Sequence, residues 1–170
     1  MTGPIKVRNL WAFLLPLTAS LACAAAGKEA GDQNLRRCEP LQQFLTEDFG
    51  MVAETERDTM DDWRTHKRLP GCRVTAAGGT QLGMSDTATL LYEQLLAVGW
   101  TRTPDPRDAP NESALRLRLD DTDCFFSVYS RNVVIGTAAE MRVNQALMPS
   151  SEEARYNVLV QCVPAMAAAP

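Results

Sequence analysis

The chain has 170 residues, 45% of them hydrophobic and 22% charged, with 17 basic side chains against 21 acidic ones and a single histidine. That length and apolar content predict one domain with a full core rather than two domains. A net charge of −4, with one short basic run at Arg64, His66, Lys67 and Arg68, argues against nucleic acid as the partner.

Residues 1–26 differ in composition from everything after them. Lys6 and Arg8 precede an uncharged run from Leu10 to Ala26 that closes in small residues, the pattern of an export signal. The run is 17 residues long and broken by Pro16, short of the roughly twenty needed to span a bilayer. Ala22-Cys23-Ala24 and Ala24-Ala25-Ala26 both satisfy the small-x-small rule, giving a product that starts near Ala25 or Gly27. Cys23 is a candidate lipid-attachment residue, with Ala22 before it, although Ser20 and Leu21 depart from the usual lipobox; such an anchor would be the only membrane contact. The expected location is therefore periplasmic or extracellular, with an envelope-attached lipoprotein as the variant. Without residues 1–26 the chain carries 15 basic and 21 acidic side chains, a net charge of −6.

Export leaves Cys38, Cys72, Cys124 and Cys162, an even number in an oxidising compartment, and so predicts two disulfides. Three pairings are open. Cys38 with Cys72 and Cys124 with Cys162 is the favoured one: the first would tie the N-terminal segment to the opening strand, and the second would join two strands.

In chain order, residues 27–38 read as a flexible segment. A helix follows from Glu39, with Pro40 in the first turn, Leu41, Phe44, Leu45 and Phe49 on one face, and Gly50 as its stop. Residues 51–68 can be written as a short helix or an exposed strand, with Trp63 as anchor. Pro70-Gly71 signals a turn, and residues 72–77 fit a strand. Ser85 reads as the N-cap of a helix whose stripe is Leu91, Leu95 and Val98 and whose left-handed stop is Gly99, with Trp100 folding back on it. Residues 101–113 form a proline-rich loop containing the glycosylation sequon Asn111-Glu112-Ser113.

Strict alternation then marks a half-buried strand, with Leu115, Leu117 and Leu119 on one face and Arg116 and Arg118 on the other. Asp120 to Asp123 turn the chain into a second strand over residues 124–130, and Val133 to Ile135 could continue as a third. Residues 136–155 stay open between strand and helix. Tyr156, Val158, Val160 and Cys162 share one face of a final strand, and 165–170 reads as a disordered tail. The expected fold is α+β: a small antiparallel sheet of three to five strands in a single domain over 39–164, packed on one face by one or two helices and stapled by two disulfides.

Candidate chemistry is sparse. Residues Gly78 to Ser85 follow the phosphate-loop spacing except that Met84 stands where lysine must reach the terminal phosphates, so the stretch reads as a connector. His66 lies among cations, which disfavours its protonated form as the base of a triad. With the cysteines paired, neither a thiol nucleophile nor a zinc set remains, and no cofactor is expected. Asp120, Asp121 and Asp123 lack the spacing of a calcium loop. The pairs Asp61/Asp62 and Glu152/Glu153 diverge on any regular element. Arg73, Arg116 and Arg118 form a candidate surface for an anion or a partner. These features point to an exported, non-catalytic domain that binds or inhibits another envelope component, with a small secreted hydrolase using Asp or Glu as the alternative.

Overall fold

The computed structural model describes residues 31–62, 66–103, 114–130 and 134–165. Residues 1–26, Cys23 among them, are read from the sequence as an export signal and lie outside the described residues, with Trp63, Arg64, the sequon and most of the tail. Residues 31–36 are helical and lead into buried Cys38, whereas the sequence reads 27–38 as flexible. Helix α1 (Glu39–Gln43) widens into a π-helical turn over Phe44–Asp48, with Pro40 in its first turn and Leu41, Phe44 and Leu45 buried. Gly50 ends it at a φ of 64°.

Strands β1 (Val52–Asp62) and β2 (Lys67–Thr80) form a long antiparallel hairpin. The ambiguous stretch 51–68 is thus largely strand. It resists sequence reading because Glu54, Glu56 and Asp58 occupy one face and Thr55, Arg57 and Thr59 the other, so no apolar period exists. Strand β2 also runs straight through Pro70-Gly71, read from the sequence as a turn. Pairing with β6 starts only at Cys72, so Pro70 sits where β2 has a neighbour on one side and its missing N–H breaks no central ladder. A side chain at Gly71 would place Cβ only 1.9 Å from the Cys162 carbonyl oxygen.

Helix α2 (Met84–Ala97) is capped by Gly83, so Ser85 lies inside the first turn rather than at the N-cap. Its buried face is Thr87, Ala88, Leu91, Tyr92 and Leu95; Val98, assigned to the stripe from the sequence, is 55% exposed. Gly99, at a φ of 102°, completes the C-terminal motif: Gly99 N donates to Leu96 O and Trp100 N donates to Leu95 O. Trp100 does fold back, its ring edge-on to Phe126 at 5.7 Å.

A short strand β3 (Thr101–Arg102), then β4 (Ala114–Leu119) and β5 (Thr122–Tyr129), form a meander. Asp120 takes the left-handed φ of 50° at the tight β4–β5 turn, a conformation aspartate tolerates better than most residues. Val134 and Ile135 do not make a third strand but lead into helix α3 (Ala138–Ala146), and β6 (Ala154–Pro164) closes the chain. The architecture is α+β with a six-stranded antiparallel sheet in the order β1-β2-β6-β5-β4-β3, larger than the three to five strands expected.

The two sheet faces are built differently. Cys72, Val74, Ala76, Leu115, Leu117, Cys124, Phe126, Val128, Tyr156, Val158, Val160 and Cys162 point to the face covered by α1 and α2, and this is the main core. The opposite face is covered at one end by α3: Asn144 Nδ2 donates to Asn157 Oδ1 at 2.8 Å, and Arg142 pairs with Glu54. Helices therefore pack on both faces rather than on one. At the other end of that face, Asp62 of β1 meets Arg116 of β4 at 3.5 Å. In a flat sheet those strands would be four spacings, about 19 Å, apart. The sheet is consequently curled, bringing its first and fifth strands together.

Candidate functional site

Cys38 and Cys72 form one disulfide and Cys124 and Cys162 the other, which is the pairing favoured from the sequence. The first fixes the end of the helical N-terminal segment to the middle of the sheet. From that fixed point Arg37 reaches the β4–β5 turn. Its Nη1 lies 2.8 Å from Asp121 Oδ2 and donates to the Asp121 carbonyl at 3.1 Å and to Thr122 Oγ1 at 3.2 Å. Ala165 N donates to the same carbonyl at 2.6 Å, so the turn, the N-terminal segment and the end of β6 are tied together.

Between these tied parts lies a cleft of about 240 Å³. Gln33, Arg36, Arg37 and Pro40 line one side, Leu119, Asp120, Asp121 and Thr122 the other, and Trp100 lies between them. An adjoining cavity of about 240 Å³ shares Pro40, Trp100 and Leu119 and continues past Gln43, Phe44, Asp48 and Val98. Together they make an open groove with an apolar floor and charged rims. A separate cavity of about 360 Å³, lined by Gly31, Asn34, Arg57, Asp58, Thr59, Pro70 and Gly71, lies across the N-terminal segment.

The charges at the groove are fixed by contact. The Arg37 guanidinium, through its hydrogen bond and then its charge, holds the Asp121 carboxyl below its ordinary pKa. Asp121 is thereby kept ionised, which suits a cation-accepting rim better than a proton donor. Asp120 and Arg36 also line the cleft. Pro40, Val98 and Leu119 supply the exposed apolar surface beside the charged rims, whereas Trp100, 4% exposed, belongs mainly to the core behind them.

The three arginines marked from the sequence do share a face, the one opposite the main core, but each has a carboxylate against it. Arg73 donates to Glu56 Oε1 at 3.0 and 2.8 Å and lies 3.3 Å from Asp58; Arg116 pairs with Asp62; Arg118 donates to Asp123 at 2.6 and 2.9 Å. Arg116 is also 2% exposed, so it is not part of an open surface. The row is an ion-pair network laid over the sheet.

The glycine loop is accounted for by packing. Gly78 and Gly79 lie inside β2, where a Cβ would stand 2.8 Å from the Tyr156 ring and 2.8 Å from the Glu153 carboxylate, respectively. His66 sits in the left-handed conformation at the exposed β1–β2 turn. Asp61 and Asp62 diverge as expected, Asp61 outward to Arg68 and Asp62 inward to Arg116. Asp120, Asp121 and Asp123 also separate: the second is bound by Arg37 and the third is buried beside Arg118.

No family model, curated protein or solved structure matches the chain. The site must therefore be judged on its own chemistry. Among the described residues all four cysteines are in disulfides, so none of these is a thiol nucleophile. Among the described residues no helix is long and apolar enough to cross a membrane. The sequence marks Asp120 and Asp121 only as a calcium candidate and does not link them to Arg37, which is 84 positions from Asp121. The one local hint is the tandem Arg36-Arg37 beside a bridged cysteine.

Proposed function

We infer that this is an exported, non-catalytic domain, periplasmic or envelope-associated, that binds or inhibits another envelope component through the groove at Trp100. The observation that supports this reading is the groove itself. Its apolar lining, chiefly Pro40, Val98 and Leu119, lies between two segments that the disulfide at Cys38 and the Arg37 latch keep in place. Pre-formed apolar surface with a charged rim favours protein or peptide binding, because little ordering entropy is lost on association. The two disulfides accord with an oxidising compartment. A hydrolase using this groove would draw on Asp48, Asp120 and Asp121, and the ion pair with Arg37 makes Asp121 a poor general acid.

A photo-crosslinking residue at position 36, in protein expressed in its own host, tests this reading. The expected result is a specific adduct with one envelope component, weakened about tenfold by Val98→Glu, a loss typical of an interface anchor worth about 1.4 kcal/mol. The same probe at Gln145, on α3 across the sheet, is expected to give none. Equal adducts from both positions, or none from position 36, would overturn the groove assignment. Hydrolytic activity abolished by Asp120→Asn would turn the reading to the hydrolase.

A further inference from the structure

The two disulfides are not independent staples. Register places Cys72 opposite Cys162 across the β2–β6 ladder, and Cys162 opposite Cys124 across β5–β6, so three cysteines stand in one row over three adjacent strands. Cys38 joins them from the segment before α1. The Sγ atoms of Cys38, Cys72 and Cys162 all lie within 4.8 Å of one another, although Cys162 is bonded to neither of the other two. All four residues are at most 1% exposed.

The ladder also fits a bridge between Cys72 and Cys162. The Cα atoms of Cys124 and Cys162 are 4.1 Å apart, which marks the narrow, non-hydrogen-bonded type of antiparallel pair. A residue of a central strand that is narrow on one side is hydrogen-bonded to its neighbour on the other. Cys162 therefore forms the wider kind of pair with Cys72, and its carbonyl points towards β2, where it crowds Gly71. Such a pair has a Cα separation of about 5.5 Å, inside the range a disulfide spans, and its Cβ atoms, about 5.5 Å apart, must close by roughly 1 Å for the bridge to form.

We propose that the four cysteines are a thiol–disulfide exchange site, in which opening Cys38–Cys72 with an external dithiol passes the break to the second disulfide and forms Cys72–Cys162. Cys38 is buried, so attack follows a local opening of the N-terminal segment, in which a thiolate of the dithiol reaches Cys38 Sγ, forms a mixed disulfide and expels the Cys72 thiolate. That thiolate attacks Cys162 Sγ, forming Cys72–Cys162 and expelling the Cys124 thiolate, which takes a proton from solvent. The second thiol of the reagent loses its proton and attacks its own sulfur in the mixed disulfide, releasing Cys38 as a thiolate that is protonated in turn. One dithiol is oxidised to its disulfide, and the protein gains two electrons and two protons as one disulfide becomes two thiols. The internal step is favoured over attack from solution because the reacting sulfurs are already held together.

The exchange acts on the groove. The first bond anchors the segment carrying Arg36, Arg37 and Pro40, and the second lies on β5 two residues beyond Thr122. After exchange Cys38 is free, and that wall keeps the Arg37 latch, the Asp32–Arg57 ion pair and its apolar contacts.

The test is limiting dithiothreitol on the native protein, an acid quench, maleimide blocking of free thiols and non-reducing peptide mapping. Trypsin cuts after Arg37, Arg68, Arg73, Arg118, Arg131 and Arg155, so the four cysteines fall on four separate peptides. The expected one-disulfide species joins the Cys72 and Cys162 peptides and carries maleimide on Cys38 and Cys124. One-disulfide species with only the two original bridges would overturn the proposal. The variant Cys38→Ser/Cys124→Ser gives an independent readout: after folding and air oxidation it is expected to hold a Cys72–Cys162 bridge, and persistence of both thiols would also contradict the exchange.

Discussion

Replacing Glu140 by alanine is expected to destabilise the domain by about 3–5 kcal/mol and to lower Tm by on the order of 10 °C. The carboxylate is completely buried at the start of α3. Its Oε1 accepts from the Tyr129 hydroxyl at 2.8 Å and from Val134 N at 2.6 Å, and its Oε2 accepts from Ile135 N at 2.9 Å and from Gly136 N at 2.8 Å. Truncation would leave three backbone donors and a phenol without their acceptor, and the approach to α3 would lose what orders it.

The same contacts set a pH dependence. Burial by itself would raise the Glu140 pKa, but hydrogen bonds from Val134, Tyr129, Gly136 and Ile135 outweigh it and hold the carboxyl below its ordinary value. A folded pKa below the unfolded one, about 4.3, means that the contribution is complete above that pH and is lost as pH falls through the folded value. Thermal melts from pH 7 to pH 3 are expected to show a flatter profile for Glu140→Gln than for the native protein. Parallel profiles would contradict the assignment.

The second large effect concerns the pair that closes the curled sheet. Asp62 and Arg116 are 1% and 2% exposed and lie 3.5 Å apart, so each helps to offset the other's buried charge. Asp62→Leu or Arg116→Met alone is expected to cost about 3–5 kcal/mol, because one buried charge loses its opposite-charge neighbour. The double variant is expected to recover most of that loss, since an apolar pair removes both desolvation penalties. Urea denaturation of the four proteins checks this through the midpoints. Additive losses in the double variant would mean that the two side chains do not act as a unit.

Much of the fold could be read from local pattern. The leucine–arginine alternation over 115–119, the glycine stop at Gly99 and the one-sided apolar set of Tyr156, Val158, Val160 and Cys162 are each decided by short-range physics, and the structure has them where the pattern puts them. Strand β1 escapes the same reading because its charges are matched only by tertiary partners: Arg142 for Glu54, Arg73 for Glu56, Gln161 for Asp58 and Arg116 for Asp62. Pro70-Gly71 misleads because a turn signal is harmless in a strand that still lacks its second neighbour. Helix α3 did carry a usable signal. Thr137 caps it and accepts from Glu140 N, the spacing of a capping box, and this identifies 138–146 as helix once noticed. The groove had no such signal, since its two sides come from residues 33–40 and 119–122, joined only by folding.

The functional reading rests on export into an oxidising compartment, and intact-mass spectrometry of the protein recovered from its own host under non-reducing conditions tests that premise most directly. The account predicts a chain that starts at Cys23 with lipid, or near Ala25 or Gly27 without it, and two hydrogens lighter for each of two disulfides, with no thiol open to maleimide. A full-length chain beginning at Met1, with Cys38, Cys72, Cys124 and Cys162 all alkylated, would contradict it.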